Sequence, residues 1–159
     1  MSIRLDQAKT RYEDHAMSAQ ITNNPIHRYP IGRLHSILLG GMVPLFLGAL
    51  ASDVAYYQTY QIQWSNFASW LIAGGLLLCG LALLLSIAAL LRAHRRTGRP
   101  LIALLLLLAT WVLGLSNAFI HAKDAWAAMP DGLIMSVVVA GLACIAVWIT
   151  LDKHLEVAK

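Results

Sequence analysis

Four long apolar stretches alternate with short polar ones along the chain, and this pattern predicts the architecture. Residues 34–57 are apolar apart from His35, Ser36, Ser52 and Asp53. Residues 67–91, 100–121 and 132–151 are similarly apolar. About 20 apolar residues in a helix cross the hydrocarbon of a bilayer, so each stretch is long enough to span. The connections are short, which makes neighbours antiparallel and predicts an all-α, four-helix up-down membrane bundle. Residues 1–33 form a polar N-terminal tail and 152–159 a short C-terminal one. Within the N-terminal tail, residues 1–20 have the composition of a short polar helix. Asn23-Asn24-Pro25 and Tyr29-Pro30 then break regular structure before the first span, which predicts an extended entry. No apolar run ending in a small-residue cleavage site is present in this tail.

Small residues and prolines add detail. Gly40, Gly41 and Pro44 predict a bend in span one, because proline removes a helix hydrogen bond and crowds the previous turn. Gly41, Gly48, Ser52 and Ala55 offer one close-packing face there. Gly75, Cys79, Ala82, Ser86 and Ala89 offer another on span two. Pro100 suits the first turn of span three, and Asp131 is placed to cap span four. Tyr56, Tyr57, Tyr60, Trp64 and Trp70 gather around the uncharged first loop, 58–66, as an interfacial aromatic belt.

Composition and charge then narrow the class. With 58% hydrophobic and 13% charged residues among 159, the chain is far less charged than soluble domains. Its net charge of +4 does not point to nucleic acid, because the basic residues lie at the ends of the apolar stretches. The N-terminal tail carries five Lys or Arg, the second loop four and the C-terminal tail two. The first and third loops together have only Lys123. This asymmetry predicts that both termini are cytoplasmic. Arg92, Arg95, Arg96 and Arg99 are read as topology signals that also meet lipid headgroups. Cys79 and Cys144 lie within apolar runs without metal or redox spacing and are read as packing residues.

The candidate chemistry lies where polar residues interrupt these spans. Thr110, Gly114, Asn117 and His121 share one helical face, and Asp124 continues it. Topology carries Asp53, Asn66, Asn117, His121 and Asp124 towards one, outer, end of the bundle. A carboxylate inside a span is costly unless paired, and His121 is the natural partner of Asp53, with Asn117 completing the hydrogen bonding. Such a cluster serves as a structural clasp between spans one and three. Proton handling, small polar ligand binding, or a metal held by His121, Asp53 and Asp124 are the alternatives. Haem b needs two histidines at matching depth on facing helices. Only His35 with His94 or His27 approaches that condition, and neither of these partners lies inside a span. No phosphate loop, nucleophile motif or zinc signature occurs, so no enzyme activity is expected.

The runs GALASDVAYYQT, IQWSNFASWLIAGG, LSNAFIHAKDAW and PDGLIMS resemble an uncharacterised bacterial family of four-helix inner-membrane proteins, domain of unknown function 2231. The resemblance covers about residues 25–151. Its matched points are Asp53, Trp64, Asn66, Asn117, His121, Asp124 and Trp126. The chain departs from the family pattern late in span two, where LLLSIAALL carries no acid. The resemblance implies a multi-pass protein of the bacterial inner membrane and supplies no activity. The expected role is that of a non-enzymatic accessory subunit that binds a membrane protein partner or a second copy. A haem b redox subunit and an oligomeric small transporter or channel are the competing readings.

Overall fold

The computed structural model describes residues 30–92, 98–123 and 125–156. Among these, four long helices and one short one account for nearly all of the described residues: α1 (Pro30–Thr59), α2 (Ile62–Arg92), α3 (Arg99–His121), α4 (Ala125–Ala128) and α5 (Asp131–Glu156). Each of the four long helices contains a stretch apolar and long enough to cross a membrane. Expected and observed boundaries differ mostly at the first loop. α1 begins at Pro30, which suits a first turn because its missing N–H needs no partner there. It continues to Thr59, and α2 begins at Ile62, so the nine-residue loop shrinks to Tyr60 and Gln61. Tyr60 makes the turn with a φ of 54°, in the left-handed region, and its N–H reaches the Tyr56 carbonyl at 2.7 Å. α1 runs through Pro44 as one helix, and α5 extends five residues past its expected end. Asp131 opens α5 as its first residue rather than preceding it. The polar helix and extended entry expected before residue 30 lie outside the described residues.

Packing defines a four-sided bundle. α1 lies against α2 and α5, and α3 lies against the same two helices, so α1 and α3 stand on a diagonal. Close contacts fix the directions. Gly41 meets Leu78 and Gly48 meets Leu71; Gly80 meets Trp111 and Gly114 meets Leu76; Gly132 meets His121. Asn117 meets Ser136 in the last of these pairs, so in each pair of helices one number rises as the other falls; all these neighbours are antiparallel, and the bundle is up-down as expected.

Lipid tails are as apolar as leucine, so burial from water does not draw the helices together; shape and hydrogen bonds do. The shape is supplied largely at α2. A methyl group at Gly75 would lie 2.8–3.0 Å from three ring atoms of Phe46, so the phenyl ring rests on bare backbone. Around that contact a buried cluster forms from Leu39, Met42, Phe46, Cys79, Ala82, Leu107, Val139 and Ala143. Of the two small-residue faces, Gly75, Cys79 and Ala82 are buried, whereas Ala89 is exposed. The Cys79 thiol donates a weak hydrogen bond to the Leu107 carbonyl at 3.7 Å, tying α2 to α3.

Candidate functional site: a buried polar circuit

Polar side chains inside a bilayer satisfy themselves most cheaply on their own helix. Ser52, Ser69, Ser86, Thr110, Ser116 and Thr150 all do so, each donating to the carbonyl four residues earlier. Ser136 does not. Its hydroxyl crosses from α5 to α1 and donates to Oδ2 of Asp53. It also accepts a hydrogen bond from Nδ2 of Asn117 on α3 at 2.8 Å.

The other carboxylate oxygen completes a loop. Asp53 Oδ1 lies 2.8 Å from Nε2 of His121, and Nδ1 of the same ring lies 3.0 Å from the backbone carbonyl of Asn117. Asn117 therefore both starts and ends the chain of bonds: its amide donates to Ser136, Ser136 to Asp53, Asp53 pairs with His121, and His121 returns to Asn117. The circuit links α1, α3 and α5, and the Asp53–His121 pair spans the diagonal of the bundle. Side-chain exposure is 0% for Asp53 and 1% for His121, so water does not screen the pair.

Donor logic sets the proton inventory. A backbone carbonyl only accepts, so Nδ1 of His121 must carry its hydrogen. At 2.8 Å, Nε2 and Oδ1 need one further proton between them. Whether that proton resides on the imidazole or on the carboxyl group, the circuit is neutral overall. One polar atom is left over, because Oδ1 of Asn117 is buried without a hydrogen-bond partner.

The imidazole is held in place from the side as well. A Cβ on Gly132 would stand 2.9 Å from Cε1 of His121, so the ring lies directly on the first turn of α5, where only glycine leaves room. The order of the groups matters chemically. The carboxylate sits between hydroxyl and imidazole, and both ring nitrogens are engaged, so His121 has no free nitrogen to activate Ser136. A hydrolytic triad needs the imidazole in the middle.

The expected pairing of Asp53 with His121 is thus present, with Asn117 beside it. Thr110 and Gly114 are buried on the same face of α3, but Thr110 bonds its own helix and Gly114 receives Leu76. Asn66 is a correction: it is exposed. The buried positions of α2 run Ser65, Ala68, Ile72 and Gly75, and a neighbour of Ser65 in sequence is turned about 100° away from that face. Tyr56 is a second correction, since it is buried and edge-on to Tyr60 at 6.3 Å, whereas Tyr57, Trp64 and Trp70 are exposed as the aromatic belt requires. Asp124, and with it the alternative metal set, lies outside the described residues. Ser136 went unexpected. The signal that would have found it is depth: it stands about one turn into its span, level with Asp53 and Asn117.

Of the histidines considered for haem, His35 is half-buried near the start of α1, roughly 27 Å along the helix from Asp53. His27 and His94 lie outside the described residues. In the arginine loop, Arg92 is exposed at the end of α2 and Arg99 begins α3, while Arg95 and Arg96 are not described.

One family model, described as "Predicted membrane protein (DUF2231)", matches residues 32–152. The chain belongs to this family. The match takes in all three helices that carry the circuit. No curated protein and no solved structure matches the chain.

Proposed function

We propose that this DUF2231 protein is a non-enzymatic accessory subunit of the bacterial inner membrane, with both termini cytoplasmic. In this reading the buried circuit is a clasp that fixes the outer end of the bundle, so that a rigid surface is presented to a membrane partner. The single observation that carries the reading is the closure of the circuit. Asp53, His121, Ser136 and Asn117 spend their hydrogen bonds on one another across three helices. A catalytic or transport site would keep a nucleophile or an ion ligand available to something outside. Here the carboxylate and both imidazole nitrogens are engaged. The lysine and arginine distribution supports the orientation, since eleven of the twelve such residues fall on the tails and second loop.

The test is an absorbance spectrum and metal content of the full chain purified in mild detergent, with and without added haem. A colourless, metal-free protein that elutes with a second membrane protein, or as a defined oligomer, agrees with the proposal. A Soret band that vanishes when a histidine is replaced contradicts it and establishes a redox subunit.

A further inference from the structure

The circuit holds more than the clasp uses. Asn117 is bonded through its amide on one side only: Nδ2 donates to Ser136, while Oδ1 is buried without a partner. Turning that amide over therefore breaks a single hydrogen bond, and the turned amide can make it again in the reverse direction. Ser136 is equally reversible, because a hydroxyl both donates and accepts.

We infer that the circuit is a binding site for one additional proton, with the Asn117 amide as its moving part. The inference rests on the clasp reading of the same four side chains. A proton arriving from water binds Oδ2 of Asp53, which now donates to Ser136. The Ser136 hydrogen is released from Oδ2 and turns towards Asn117, whose amide rotates to present Oδ1. His121, protonated at both nitrogens, keeps its bonds to Asp53 Oδ1 and to the Asn117 carbonyl. No bond of the circuit is lost, its net charge rises from zero to +1, and Nδ2 replaces Oδ1 at the unpartnered position. An ordinary buried ion pair has no second pattern and breaks on protonation.

Among the described residues, no other charged side chain shares the buried space of the circuit. The nearest ionisable side chains on α1 are Tyr56 and the exposed Tyr57. α2 carries no charged residue before Arg92. On the α3 side Lys123 is exposed beyond the helix end, and on α5 Asp131 is exposed five residues before Ser136. The added positive charge falls at the last turn of α3, the negative end of its dipole.

Infrared difference spectroscopy on the full chain in lipid nanodiscs, with ¹³C-labelled asparagine side chains, tests this as the pH is lowered. In the wild type, a protonated-carboxyl band grows in step with a shift of one labelled amide band. The carboxyl band is missing in Asp53→Asn, which can keep every bond of the circuit by donating its amide to Nε2. Ser136→Ala keeps the carboxyl band and loses the amide shift, because the relay is gone. A wild-type carboxyl band without an amide shift overturns the inference. So does the absence of any Asp53 band throughout the pH range in which the protein stays folded. Both outcomes leave the clasp standing, because the clasp is judged by the melting of Asp53→Ala. Should Ser136→Ala fold poorly, the wild type and Asp53→Asn decide together, because the other seven acidic residues contribute equally to both spectra.

Discussion

α2 and α5 occupy equivalent places in the bundle, each wedged between α1 and α3, yet they are fastened by opposite means. α2 is held by shape. Gly41 with Leu78, Gly48 with Leu71, Gly75 with Phe46, Gly80 with Trp111 and Gly114 with Leu76 all bring a side chain onto bare backbone, and every one has α2 on one side. α5 is held by direction. Its Ser136 joins Asp53 and Asn117 by hydrogen bonds, and its Gly132 carries the imidazole of His121. None of the described side chains of α2 enters the circuit. Steric fit depends on distance and degrades gradually as a contact opens. A closed set of hydrogen bonds in a dry interior is either complete or leaves buried polar groups stranded. Both walls pack, since Val139 and Ala143 of α5 lie in the buried cluster, but only the α5 wall adds registration by a closed set of hydrogen bonds.

The variant with the largest expected effect is Asp53→Ala. It strands the imidazole of His121 and the hydroxyl of Ser136 together, and breaking a buried pair in this way costs about 3 kcal/mol. Reversible unfolding in detergent or bicelles should read that loss, which would be carried by the α1–α3–α5 side. Gly75→Ala is the matching blow to the other wall. Its methyl group forces the Phe46 ring to move, an overpacking cost of about 2 kcal/mol. The infrared signature of the circuit should be unchanged in that variant. Smallest of the three is Asp53→Asn, at under ~1 kcal/mol, because the amide accepts from Ser136 through its oxygen and donates to Nε2 through its nitrogen. If Asp53→Asn is as damaging as Asp53→Ala, charge rather than hydrogen-bond closure holds the clasp.

How much of this was legible in the sequence follows from the same contrast. Helix number and direction were readable because hydrocarbon thickness sets the length of each apolar run, and short loops force antiparallel neighbours. Asp53 and His121 were readable because ionisable groups are rare in a span and must find partners at their own depth. Ser136 was not, since a serine in an apolar helix normally satisfies itself on the preceding turn, as Ser52, Ser86 and Ser116 do. Only its depth set it apart. Asn66 misled for the complementary reason. Near the mouth of a helix an amide can be solvated by water and headgroups, so its polarity carried no demand for a protein partner. The loop boundary was missed because α1 stays helical through Gln58 and Thr59 and α2 through residues 62–66, with the turn confined to Tyr60 and Gln61.

The central claim is that Asp53 and His121 act as one unit across the diagonal of the bundle. A double-mutant cycle on unfolding free energy, pairing Asp53→Ala with His121→Ala and, as reference, with Gly75→Ala, measures it directly. Coupling of about 1–3 kcal/mol for the first pair, with additivity within ~0.5 kcal/mol for the second, is the predicted result. Additive losses for Asp53 and His121 would contradict it.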